Sequence, residues 1–188
     1  KEDNEFIDSL FKKEVVGSGV RKNLSRAVNV DKVEEREGII YLKDSEIPYT
    51  GKFYALYPSG KREQEAHYKN GKIDGFAERW YENGQKKSEG KFKIGKRDGL
   101  SLQWYENGQK KREGIFKDGK QDRLETSWHK NGQKRSEDNF KDGKKDGRSI
   151  FWFPNGQKGS EGIYKDGITE GIHKMWHENG QMRVEAKF

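Results

Sequence analysis

Polar and apolar positions along the chain repeat every 24 residues. From Trp80 the sequence reads Trp-Tyr-Glu-Asn-Gly-Gln, then a charged segment ending at Phe92, then a glycine-punctuated connection through Gly99; the pattern returns at Trp104, Trp128, Trp152 and Trp176. Asn83, Asn107, Asn131, Asn155 and Asn179 each open an Asn-Gly-Gln triplet at the same spacing. A constant period of this length marks a repeat array, in which each unit buries its apolar positions against its neighbours.

Within a unit, Phe76 to Tyr81 is a short segment ending in two aromatics, followed at once by Asn83-Gly84. Asn-Gly is the strongest short hairpin signal, and a two-residue type I′ turn there sets Tyr81 against Lys86, Trp80 against Lys87 and Glu78 against Glu89. Lys93 to Gly99 then reads as a looser turn into the next unit. Strand alternation places the tryptophan row (Trp80, Trp104, Trp128, Trp152, Trp176) and the row of Tyr81, Tyr105, His129, Phe153 and His177 on opposite faces. A third row holds Phe92, Phe116, Phe140, Tyr164 and Phe188. These aromatic rows are the predicted core. Beside them, Glu89, Glu113, Glu137, Glu161 and Glu185 form one charged column and Lys86, Lys110, Lys134 and Lys158 another. The predicted fold is all-β: an elongated, single-layer antiparallel sheet of tandem 24-residue β-hairpin repeats, with a short N-terminal helix.

The chain divides at about residue 38. In residues 1–38, Phe6, Ile7, Leu10 and Phe11 fall at helical spacing and predict a short amphipathic helix, ending before Gly17-Ser18-Gly19. Val20 to Glu37 reads as a linker with a strand near Val28 to Val33, and the sheet is expected to begin at Ile39 to Leu42. Residues 39–188 are the repeat domain. Its degenerate first unit, 51–74, has Leu56 in the tryptophan position and reads as a cap; units near 75–98, 99–122, 123–146, 147–170 and 171–188 follow. The last strand, Glu185 to Phe188, is expected to leave an edge open to a second copy or a partner.

Composition alone points elsewhere. Hydrophobic residues at 29%, charged residues at 38% and a mean hydropathy of −1.28 lean towards disorder, and the strict period overrides that reading. The net charge of +7 comes from 39 basic against 32 acidic residues spread through every unit, which predicts a solvated surface. With no cysteine, disulfides, thiolate metal sites and thiol nucleophiles are excluded. The first residue is Lys1, without methionine, which points to a removed leader and an exported or envelope location.

Catalytic constellations are missing from the sequence, and no cofactor or metal is expected. His173 and His177 form an H-x-x-x-H pair, but on a strand they stand about 13 Å apart, too far for shared coordination. The glutamate column repeats one identical group and lacks the asymmetry of an acid and base pair. Gly95-Lys96 lacks the strand-to-helix context of a phosphate loop. Aromatics among lysines also suggest single-stranded nucleic acid, but the carboxylate column would repel its backbone, so no nucleic acid is expected.

The stretch Glu89 to Gly99, Glu-Gly-Lys-Phe-Lys-Ile-Gly-Lys-Arg-Asp-Gly, resembles the membrane occupation and recognition nexus (MORN) repeat, and the added Trp80 to Gln85 segment is similar to its bacterial variant, including the YwqK-type antitoxin family. The resemblance covers about residues 39–188 and implies tandem antiparallel hairpins in a non-enzymatic scaffold. It further implies binding of another protein, such as a toxin to be neutralised, in which case the chain would be cytoplasmic. The expected contacts are Trp80, Trp104, Trp128, Trp152 and Trp176, with Phe6, Leu10 and Phe11. The alternative expectation is a peripheral envelope protein that binds anionic phospholipid through Lys86, Lys110, Lys134 and Lys158.

Overall fold

A computed structural model describes residues 28–188. One sheet of thirteen strands carries the repeats. After β1 (Val28–Asn29), a small separate sheet is made by β2 (Val33–Arg36) and β3 (Ile39–Leu42). The main sheet continues with β4 (Gly51–Leu56), β5 (Arg62–Lys69), β6 (Lys72–Trp80), β7 (Lys86–Lys93), β8 (Lys96–Trp104) and β9 (Lys110–Lys117). Then come β10 (Lys120–Trp128), β11 (Lys134–Lys141), β12 (Lys144–Trp152), β13 (Lys158–Lys165), β14 (Ile168–Trp176) and β15 (Met182–Lys187). From β4 onward each strand pairs antiparallel with the next in chain order. The all-β expectation holds. The helix expected around Phe6, Leu10 and Phe11 lies outside the described residues, and the described helical content is a single 3-10 turn, Val30–Lys32.

The beginning of the sheet differs from the sequence reading. Ile39–Leu42 pairs with β2, and the main sheet opens with β1, which lies parallel to β4 with Val28 opposite Phe53. Chain geometry accounts for this, because the turn at Glu37-Gly38 folds β3 back on β2 and carries it over the first repeat. There the Ile40 amide donates to the Gly71 carbonyl (2.9 Å) and the Ile40 carbonyl accepts from Tyr49 (2.8 Å). Beneath this cap Tyr49, Phe53 and Ala55 are buried, with Val28, Val33, Ile40 and Tyr68 against them. This cluster stabilises the N-terminal end; burying one aromatic is worth about 1.5–3 kcal/mol.

The two turns of each unit exchange the roles predicted for them. At Asn83-Gly84 only Gly84 has positive φ (+85°), the Gly84 amide donates to the Tyr81 carbonyl, and the Tyr81 amide donates to the Gln85 carbonyl, both at 2.8 Å. Glu82, Asn83 and Gly84 therefore form a three-residue loop with glycine in the left-handed position. The extra residue shifts the register by one only next to the loop, where Trp80 pairs with Lys86; a bulge at Lys87 then restores the expected register, so that Arg79 pairs with Ser88 and Glu78 with Glu89. The two-residue turn with both central residues at positive φ lies at the other end, at Ile94-Gly95 (φ 49° and 78°) and again at Asp118-Gly119, Asp142-Gly143 and Asp166-Gly167. Asn83 is occupied otherwise, since its side-chain oxygen accepts from the Gln85 amide at 3.0 Å.

The aromatic rows do not form a dry core. Among the described residues no large side chain is fully buried, and the five tryptophans are all half-buried. A single-layer sheet offers no opposing layer, so rings can be covered only by neighbours along the stack.

Those neighbours are bound at the hairpin ends. The Tyr57 hydroxyl donates to the Trp80 carbonyl (2.8 Å), Tyr81 to Trp104 (2.9 Å), Tyr105 to Trp128 (2.8 Å), and His129 Nε2 to Trp152 (2.8 Å). Beside this ladder the Asn83 side-chain amide donates to the Glu106 carbonyl (3.0 Å), Asn107 to Lys130 (3.1 Å), Asn131 to Pro154 (2.7 Å) and Asn155 to Glu178 (2.8 Å). At the opposite end the Gly95, Gly119, Gly143 and Gly167 amides donate to carbonyls of Ile73, Arg97, Gln121 and Lys145. Each bond joins one unit to the next, which explains why Tyr, Asn and Gly recur at these positions.

Two outcomes are expected. Arg123 sits at φ 66° where the other units have Gly75, Gly99, Gly147 and Gly171, so Arg123→Gly should raise stability in urea denaturation by about 0.5–1 kcal/mol. Tyr105→Phe removes one rung and should lower stability by about 1 kcal/mol in the same measurement.

Candidate functional site

The two faces of the sheet have different chemistry. Alternation puts Phe76, Glu78 and Trp80 on one face, together with Lys86, Glu89 and Lys91 across the hairpin. Cations of the preceding unit cover the tryptophans here: Arg62 lies over Trp80 (5.3 Å), Lys86 over Trp104 (5.9 Å), Lys110 over Trp128 (5.1 Å) and Lys158 over Trp176 (5.4 Å). Such contacts are worth about 0.5–1 kcal/mol at exposed sites.

The same lysines are paired with the glutamate column. Lys86 bridges Glu78 (2.8 Å) and Glu89 (2.6 Å), Lys110 meets Glu113 (2.7 Å), Lys158 meets Glu161 (2.5 Å), and Lys134 meets Glu137. The lysine column is thus a row of neutral pairs with little free positive charge. The hydrogen bonds that it donates to Glu78 and Glu89 hold the Lys86 ammonium above its ordinary pKa. Lys158 and Arg148 hold the Glu161 carboxyl below its ordinary value.

Next to this neutralised band lies a feature that the sequence reading passed over. Phe76 (65% exposed), Leu100 (49%), Leu124 (45%) and Ile172 (50%) form an apolar column at the repeat spacing, with Lys52 in the first unit and Arg148 in the fifth. Ile163, opposite Arg148 on β13, is also exposed. The signal is present in the 24-residue period, at the position directly after Gly75, Gly99, Arg123 and Gly171.

On the opposite face the centre line runs through Gly90, Ser101, Gly114, Glu125, Asp138 and Gly162, all buried without a covering layer. Larger side chains lean over these small residues from the flanks. Arg97 lies over Phe92 (5.3 Å) and Phe116 (5.5 Å) and bonds Ser101, and burial pushes its pKa down. In the middle of the chain this trough opens into a cleft of about 260 Å³, lined in part by Arg112, Glu125, Arg135, Asp138, Lys145 and Tyr164. Glu125 and Asp138 are cross-strand partners, with side chains 7% and 12% exposed.

The structure places the predicted tryptophans in one row and the predicted lysines beside them, with each lysine engaged by an acid. Phe6, Leu10 and Phe11 lie outside the described residues. His129 serves the inter-unit ladder, and no group of three or more metal-ligating side chains occurs among the described residues. No described helix is long and apolar enough to cross a membrane.

The hairpin period and these ladders agree with the comparison of families: the MORN repeat variant matches residues 49–70, 74–93, 97–118, 124–142 and 169–188, more than half of the chain. The chain belongs to the MORN repeat variant family. Between the last two matches, β12 and β13 make the same hairpin, so the MORN array continues through them. No curated protein matches the chain. MORN repeats are generally protein- or membrane-binding modules of a non-catalytic type.

The paired carboxylates of this MORN array should govern its acid stability. Because the folded pKa of Glu161 lies below the unfolded one, its contribution is complete above about pH 4.3 and is lost as pH falls through the folded value. Glu161→Gln should therefore cost about 0.5–1 kcal/mol near neutrality, and the urea midpoints of the two proteins should converge in acid.

Proposed function

We propose that this MORN repeat variant chain is a non-enzymatic scaffold that binds another protein along its tryptophan face. The observation that supports this reading is the apolar column of Phe76, Leu100, Leu124 and Ile172, exposed at the repeat spacing on one uncovered face. Contiguous apolar surface of this kind marks interaction sites, and half-buried tryptophans beside it supply the aromatic anchors typical of protein interfaces. The sheet is held by its strand ladders and by the bonds at the hairpin ends, so this column is not needed to close a core.

The neutralised lysine and glutamate band fits the same reading. It would border an apolar contact with pairs already formed, so that a partner need not strip free charges of water. Attachment to anionic lipid through Lys86, Lys110, Lys134 and Lys158 has less support, since their charges are already met by Glu89, Glu113, Glu137 and Glu161. Within the protein-binding reading, the similarity to antitoxin-type chains makes a toxin to be neutralised the partner to look for first.

The test is a pull-down from lysate of the source cell at low and high salt, with a Leu100→Lys, Leu124→Lys variant alongside. Both side chains are exposed, so the variant should keep its circular dichroism and thermal transition. A protein retained by the unaltered chain at high salt and lost by the variant is expected. Equal capture by both, or capture only of lipid released by salt, would contradict the proposal.

A further inference from the structure

The cleft on the other face is where the repeat departs from itself. The position of Glu125 is Ser101 one unit earlier and Ser149 one unit later; that of Asp138 is Gly114 and Gly162. The strand pairing is the same in all three units, so folding of the sheet does not require two carboxylates at its most buried line. Placing them directly opposite each other works against stability, both by repulsion and by loss of hydration.

Their charges are met from the flanks. Glu125 accepts a bond from Gln121 and lies 3.5 Å from Arg112 Nε; Asp138 takes Lys145 Nζ at 2.6 Å and the Ser149 hydroxyl at 2.5 Å. The groups left uncommitted in the cleft are cationic. The Arg135 side chain makes no hydrogen bond or ion pair, and that of Arg112 makes no hydrogen bond and meets Glu125 no closer than 3.5 Å. Three cations, Arg112, Arg135 and Lys145, face two carboxylates, which leaves a single positive charge in excess.

We infer that this cleft binds a small hydroxylated monocarboxylate, the chemical class of acidic sugars. The ligand carboxylate meets Arg112 and Arg135, whose planar forks suit a carboxylate. Its hydroxyls meet serine hydroxyls and the remaining lone pairs of Asp138 and Glu125, since a sugar hydroxyl both donates and accepts. The rings of Phe151 and Tyr164 supply an apolar wall for its C–H face. A volume of about 260 Å³ suits one ring and not a chain of them. Inorganic phosphate fits less well, because its second charge would meet two buried carboxylates, and a neutral sugar leaves the arginine pair without a partner. This site is independent of the tryptophan face and of any protein bound there.

The experiment is a calorimetric titration of the folded chain with D-glucuronate, D-glucose and inorganic phosphate, repeated on Arg135→Gln and Asp138→Gly. Arg135 has no partner to lose, and Asp138→Gly restores the residue of the neighbouring units, so both variants should fold. Saturable binding of glucuronate, at least about tenfold weaker in each variant and tighter than either comparator, is expected. Absence of saturable binding at millimolar glucuronate, an affinity unchanged in Arg135→Gln, or glucose or phosphate bound as tightly would overturn the inference.

Discussion

The structure depends on the hydrogen bonds that tie the end of each hairpin to the next. A single hairpin is marginal in water, and a one-layer sheet has no second layer to bury it. The Tyr81, Tyr105 and Asn83, Asn107 side chains reach carbonyls of the following unit, and at the other end the glycine amides reach carbonyls of the preceding one. Every unit is thereby coupled to its neighbours alone, as in other repeat arrays, where stability is a sum of unit and interface contributions. With the units bound at their ends, the faces between are released for other work.

That division of labour gives the two faces their character. One carries tryptophans under cations, a row of neutral ion pairs and an exposed apolar column; the other is a trough of small residues, interrupted once by Glu125 and Asp138. Regular columns serve the scaffold, since every unit must satisfy the same neighbours. Departures from the columns are free to serve something else, and Arg123, Glu125 and Asp138 are all found in one unit, 123–146.

Much of the fold was legible in the sequence, because a 24-residue period specifies neighbours. The repeat array, the antiparallel pairing of Glu78 with Glu89, and the place of His129 in the tyrosine row follow from alignment of the units alone. The exchange of turn types was not legible, because Asn-Gly suits a two-residue turn and nothing local reveals that Asn83 is held by the carbonyl of Glu106. The expected core failed for a different reason: aromatic rows were equated with burial, whereas a lone layer buries its smallest residues and only half-covers its largest. The cleft could have been suspected from Asp138 in a glycine column, since the register that pairs Glu78 with Glu89 also sets Glu125 opposite Asp138 two units on.

Coupling between neighbouring units is most directly tested by hydrogen exchange, residue by residue, on a chain with one junction weakened by Tyr105→Phe and Asn107→Ala together. If stability is carried by nearest-neighbour bonds, amides before and after that junction should separate into two groups with different opening free energies, each protected as a block. A single opening free energy, lowered equally along the whole sheet, would mean that one shared core holds the chain and would contradict the account.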